Sequence, residues 1–224
     1  MKITVCNSKN WLKLSDQLLS DNQILSIKKK DDLTLEALDR FKPDLVFFPH
    51  WNWIVSKEIF EKYKCIVFHT SPLPFGRGGS PIQNLIKCGY TKAPVCALAM
   101  SEEIDSGPIY DQIDVSLLGS LSEIFERIND VVNMLMLRLI DHLPEPIIQT
   151  GNTHIFKRLG FEDNEINCKA NIKDFYDSIR MLDDPSYPDA YLRLENVCIE
   201  FSEISSKGKE LFCKVRISPR NLKK

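Results

Sequence analysis

Cys65-Ile66-Val67-Phe68-His69-Thr70-Ser71-Pro72-Leu73-Pro74-Phe75-Gly76-Arg77-Gly78-Gly79-Ser80-Pro81-Ile82-Gln83-Asn84 passes from an apolar run, through a turn rich in glycine and proline, to a helix start. Cys65 to Phe68 is almost continuously apolar, the character of a strand buried on both faces. Pro81 suits a first helical position, where its missing N–H costs nothing. Working back toward the amino terminus, Lys2 to Cys6, Gln23 to Ile27 and Asp44 to Phe48 repeat the strand pattern. Helix-like stretches separate them at Trp11 to Ser20, Leu33 to Phe41 and Lys57 to Tyr63. Leu35, Leu38 and Phe41 recur at helical spacing, and Pro43 ends that helix because the residue before a proline is pushed out of the helical region. This alternation predicts an α/β fold, a Rossmann-like, mostly parallel sheet with flanking helices and right-handed crossovers.

Toward the carboxyl terminus, Val95 to Met100 and Pro108 to Val115 read as two more strands. The longest helical pattern follows, Leu121 to Leu143, with Leu121, Ile124, Phe125, Ile128, Val131, Val132, Leu135, Leu139 and Ile140 on one face. Pro144 and Pro146 terminate it. Beyond Gly151 come a polar connector, a short helix near Ile172 to Leu182, a proline-bearing loop at Asp184 to Pro188, and strands at Val197 to Ile204 and Glu210 to Ile217. The expected organisation is a main domain over 1–151 and a small carboxy-terminal α+β appendage over 152–224.

With 43% hydrophobic and 27% charged residues in a chain of 224, a disordered or collagen-like protein is excluded. Lysine plus arginine number 29 against 31 acidic residues, a net charge of -2 that provides no bulk positive field. No nucleic-acid partner is therefore expected. The amino terminus lacks a signal-like apolar run and no window reaches spanning length, so a cytoplasmic protein without a membrane partner is expected. Seven scattered cysteines contain no C-x-x-C pair and read as core residues of a reducing compartment. His142 and His154 are isolated, and no metal site is expected. Oligomeric state is open, a homodimer included.

His69 stands at the carboxyl end of its strand, where open α/β sheets place ligands. Gly76, Gly78 and Gly79 surround Arg77 and allow close approach of backbone to a bound group, and the helix start at Pro81 favours an anion. A tight turn with a core histidine is the simpler reading of His69 alone; the glycine-rich neighbourhood favours a site. A second loop, His50-Trp51-Asn52-Trp53-Ile54-Val55, follows the third strand's carboxyl end, where its tryptophans either cap the sheet or face a ligand.

The order His69-Thr70-Ser71-Pro72-Leu73-Pro74, Arg77-Gly78-Gly79-Ser80-Pro81 and Asp105-Ser106-Gly107-Pro108-Ile109 resembles the formyltransferase family that uses 10-formyltetrahydrofolate. That family is marked by Asn-x-His, Ser-Leu-Leu-Pro, an Arg-Gly turn and a later Asp-x-Gly-Pro at the spacing found here. The resemblance covers roughly residues 1 to 150. It implies His69 and Asp105 as catalytic groups, 10-formyltetrahydrofolate as cosubstrate without a metal, and an amine acceptor. It also implies a pterin held by Trp51, Asn52, Trp53, Ile54 and Val55 with Asp105. From the residues themselves, Arg77 and the helix start at Pro81 read as a site for phosphate oxygens of the acceptor, with Gly78 and Gly79 beside them and Gln83 and Asn84 in reach of its hydroxyls, the alternative being that Arg77 braces the glycine turn; Thr70 and Ser71 add hydroxyl donors. The chain departs from the pattern at Val67, where the family has its Asn, a donor to the developing oxyanion. Phe47-Phe48-Pro49-His50-Trp51-Asn52-Trp53 and Phe75 to Asn84 are similar to a subgroup of sugar-nucleotide N-formyltransferases of pseudaminic-acid biosynthesis that does without this Asn. The expected acceptor is accordingly a nucleotide-linked amino sugar, a UDP-4-amino-4,6-dideoxy sugar. The alternatives are a non-catalytic folate or nucleotide-binding relative and another amine such as methionyl-tRNA. The slight acidity of the chain and the short stretch after Gly151 weigh against the last.

Overall fold

A computed structural model of the chain describes residues 1–9 and 11–220. Apolar strands β1 (Lys2–Asn7), β2 (Gln23–Ile27), β3 (Leu45–His50) and β4 (Cys65–Thr70) lie parallel, and β6 (Lys92–Ala99) and β7 (Ile109–Ser116) join antiparallel at the far side. The sheet order is β2-β1-β3-β4-β6-β7. Successive side chains alternate between faces. Ile3, Val5, Phe47, Ile66 and Phe68 enter one core with helices α1 (Asp16–Asp21), α4 (Pro81–Lys87) and α5 (Leu121–Asp141), while Cys6, Val46, Phe48 and Cys65 enter another with α2 (Leu35–Phe41) and α3 (Lys57–Lys62). The sheet is thus covered on both faces, as the near-continuous apolar runs require.

The first helix is shorter than the expected Trp11 to Ser20. Lys13 N–H donates to Asn129 Oδ1 at 2.7 Å, Ser15 N–H donates to Asn133 Oδ1 at 2.8 Å, and Lys13 C=O accepts from Asn133 Nδ2 at 2.9 Å. These bonds to α5 satisfy the backbone before residue 16 without a helix, and Ser15 then caps α1. A capping box at Ser120 and Glu123 starts α5.

Two short strands escape the sequence pattern, β5 (Phe75–Gly78) and β8 (His154–Phe156), which pair with each other in parallel. Beyond them, α6 (Ile172–Arg180) packs on a three-stranded sheet ordered β11-β10-β9, built from β9 (Ala190–Arg193), β10 (Val197–Lys207) and β11 (Glu210–Pro219). Among the described residues no helix is long and apolar enough to cross a membrane.

Candidate active site

The chain reverses its order across the sheet at β1, which has β2 on one side and β3 on the other. Open sheets form a crevice at the carboxyl ends of strands beside such a reversal. A cleft of about 1160 Å³ lies there, lined by the end of β3, the end of β4, the turn after β5 and the loop containing Asp105.

Three consecutive residues of β5 set the geometry of the two candidate catalytic side chains. Gly76 C=O lies 2.8 Å from His69 Nε2, so the ring donates through that nitrogen. Gly78 N–H donates to Asp105 Oδ2 at 2.9 Å. The same Asp105 oxygen stands 3.3 Å from His69 Nδ1, and both side chains are nearly buried, 7% and 11% exposed. Asp105 itself has φ 53, in the left-handed region that a residue with a Cβ seldom adopts. Its loop is held tight by Gly107, where a Cβ would come within 1.7 Å of Ala99 C=O.

Gln149 completes this arrangement and carries no sequence signal, being one polar residue in a polar connector. Its Nε2 donates to Asp105 C=O and to Gly107 C=O, both at 2.8 Å. Its Oε1 accepts from Arg77 Nε at 3.0 Å and Nη2 at 2.8 Å.

Of the expected acceptor contacts, Thr70, Gly78, Gly79 and Gln83 line the cleft, and Ser71, Arg77 and Asn84 do not. Ser71 Oγ donates to Phe75 C=O, and Asn84 Nδ2 donates to the carbonyls of Gly79, Ser80 and Lys157. Gly79 is needed for close packing, since a Cβ there would come within 2.5 Å of the Arg158 backbone. Just before α4 the chain ties to the segment after β8, with Leu159 N–H donating to Ser80 Oγ and Gly79 N–H to Phe156 C=O.

Trp51 to Val55, with Phe48, Val67 and Met100, form the apolar end of the cleft. Among the described residues the backbone groups of Trp51 to Val55 take part in no backbone hydrogen bond, and the Trp51 indole N–H is buried without a partner. Asn52, Trp53 and Ile54 are exposed, so within this loop the buried indole N–H of Trp51 is the group that lacks a partner. His50 sits beside it, edge-on to the Trp11 ring. Burial first, then the charges of Lys9 and Arg158, pushes its pKa down to about 4 against an ordinary 6.5. His50 holds the same kind of place at the end of β3 that His69 holds near the end of β4. Among the described residues no group of three His, Cys, Asp or Glu side chains is arranged to hold a metal.

The profile of a family described as Formyl transferase matches residues 5–140, and that of a family described as Methionyl-tRNA formyltransferase, C-terminal domain, matches residues 161–218. A solved structure of methionyl-tRNA formyltransferase from Clostridium thermocellum is similar at 37% identity and TM-score 0.92, over 98% of this chain and 99% of that one. The methionyl-tRNA formyltransferase of Bacillus cereus (strain B4264) is 31% identical over 77% of this chain and 56% of that protein. The chain thus spans about half the length of the curated relatives it matches. A sugar N-formyltransferase from Shewanella sp. shares the fold, with TM-score 0.61 over 87% of this chain and 93% of that one, but only 16% identity.

Two expectations are corrected by these likenesses. The sugar-nucleotide acceptor falls, because likeness to a sugar enzyme stops at the fold, whereas the relatives matched along most of the chain are named for methionyl-tRNA. The exclusion of a nucleic-acid partner falls with it. Net charge averages over the whole surface and hides local fields; here Lys9 and Arg158 both line the cleft and act together on His50.

Proposed function

Since the chain belongs to the formyl transferase family, whose profile spans residues 5–140, we propose that it transfers a formyl group from 10-formyltetrahydrofolate to the amine of methionyl-tRNA. The observation that carries the acceptor is the second match, in which residues 161–218 correspond to the C-terminal domain of methionyl-tRNA formyltransferase. Residues 1–151 carry the transfer site in this reading, and residues 152–224 form the unit that meets the tRNA. Such an acceptor implies a cytoplasmic site of action.

The unpaired backbone of Trp51 to Val55 and the partnerless indole of Trp51 fit a pterin, whose ring edge carries donors and acceptors and whose faces suit an apolar slot. When bound, the folate supplies an activated formyl carbon. Transfer then needs a neutral amine, a donor to the oxygen that gains charge, and a proton for the departing nitrogen. Asp105 accepts the proton shed by the attacking amine, a role supported by its place in the cleft beside the ring of His69. His69, fixed through Nε2–H on Gly76 C=O, turns Nδ1 toward Asp105; the proton that Asp105 takes from the amine passes to Nδ1, where it serves the oxyanion as a donor, and then to the departing folate nitrogen. With Val67 in place of an amide side chain, Thr70 remains as a hydroxyl donor on the same strand that lines the cleft.

The test incubates the purified chain with 10-formyltetrahydrofolate and methionyl-tRNA and follows formyl-methionyl-tRNA by mass spectrometry. Formylated product is expected. Calorimetric folate binding with no transfer to methionyl-tRNA would overturn the acceptor.

A further inference from the structure

We infer that Gln149 is a positioning residue for Asp105, with Arg77 fixing the direction in which Gln149 points; this rests on the formyl-transfer reading of the same site. A glutamine amide has one acceptor end and one end with two donors, and here every bonding direction is used. Arg77 presents two N–H donors to Oε1, and the carbonyls of Asp105 and Gly107 present two acceptors to Nε2. Turning the amide over would set its NH2 against the guanidinium and its oxygen against two carbonyl oxygens. Only one orientation is compatible with these neighbours. Arg77, read from the sequence as a phosphate ligand, is committed to this task through both its Nε and its Nη2.

The tie ends on the backbone of a residue whose conformation needs support. Asp105 is in the left-handed region, and its carboxylate direction depends on keeping that φ. Gln149 holds the carbonyl of Asp105 while Gly78 N–H holds Oδ2, so the residue is gripped at both ends from one side of the cleft. His69 is tied to Gly76 in the same short strand. Displacing Asp105 from this grip alters its 3.3 Å approach to His69 Nδ1, although Gln149 itself lies outside the lining of the cleft.

Three variants of the full chain test this: Gln149→Ala, Gln149→Glu and Arg77→Lys. Gln149→Glu keeps an acceptor for Arg77 but replaces both donors with a carboxylate oxygen facing two carbonyls. Each is compared with wild type for kcat and KM on 10-formyltetrahydrofolate and methionyl-tRNA, and for the 15N signals of the His69 ring, assigned with His69→Ala. Expected are a kcat at least about tenfold lower in both Gln149 variants, a smaller loss in Arg77→Lys, KM values within about twofold of wild type, and displaced His69 signals. A kcat within about twofold of wild type in Gln149→Glu, or a loss of activity that tracks melting temperature while the His69 signals stay in place, overturns the inference. Should the wild type fail to formylate methionyl-tRNA while the His69 signals still move in the Gln149 variants, the acceptor reading fails and the tie stands.

Discussion

His69 and Asp105 are the candidate catalytic pair, each side chain tied to β5 and the two 3.3 Å apart. His69→Ala removes the ring, and Asp105→Asn keeps the shape while removing the charge and the ability to take a proton. Both variants are expected to lower kcat by roughly a hundredfold or more, the usual worth of a placed acid or base, with melting temperatures near wild type. Turnover within a few fold of wild type in either would remove that residue from the reaction. His50 gives a separate pH prediction. Its folded pKa, about 4, lies below the ordinary 6.5, so the unfolded chain binds the extra proton as pH falls. Its contribution to stability is full above pH 6.5 and is lost as pH falls toward 4, with a slope of at most about 1.4 kcal/mol per pH unit. Denaturant titrations across that window should show a shallower fall for His50→Asn than for wild type; parallel curves would show that His50 is not the group taking up the proton. Of the two candidate catalytic residues, His69 stood out by its place at a strand end before a run of Gly and Pro, while Asp105 came only from the resemblance and its spacing from His69. Gln149 was not, since its partners Arg77 and Asp105 lie 72 and 44 positions away and nothing around residue 149 marks it.

Elements whose own residues carry a face to the core were readable, and those created by a distant partner were not. The buried strands and the long helix agree with their patterns to within a few residues, because burial on both sides of a sheet leaves an unbroken apolar run. Phe75-Gly76-Arg77-Gly78 has no alternation and becomes a strand only by pairing with His154 to Phe156. The segment before α1 failed in the opposite sense, its helical pattern being overridden by α5. Asn133 is 6% exposed and holds that segment through bonds to Ser15 N–H and Lys13 C=O. Asn133→Ala leaves both backbone groups without their partner, and each such loss costs about 1–3 kcal/mol. A stability decrease of about 2 kcal/mol or more is expected from chemical denaturation, and a change below about 0.5 kcal/mol would show that water takes over these bonds.

At the scale of the whole molecule, the change of texture at Gly151 is no gap in packing. Phe156, Ile166, Ile179, Met181, Leu182 and Ala190 belong to the same buried cluster as Leu121, Phe125 and the sheet residues. Polar ties cross the same boundary: Arg180 Nη1 donates to the carbonyls of Leu117 and Gly119, and Ser122 Oγ to Asp184 Oδ2. The strand that pairs with β5 lies beyond it too, so the groups holding His69 and Asp105 depend on chain from both sides. A fragment of residues 1–151 would lose all of these at once. Removing one large side chain from a packed core costs about 2–5 kcal/mol, and the whole stability of a domain is about 5–15 kcal/mol, so the loss of several together exceeds the margin. The fragment is therefore expected to show no cooperative melting transition, to bind a hydrophobic dye through its uncovered α5 face, and to lack measurable transfer, although every candidate catalytic residue is present in it. Co-expression with residues 152–224 should restore both the transition and the activity if the shared core is what the fragment lacks. A fragment that melts cooperatively within a few degrees of the full chain would show instead that the sheet and α5 close their core unaided, and that the second unit serves the acceptor alone.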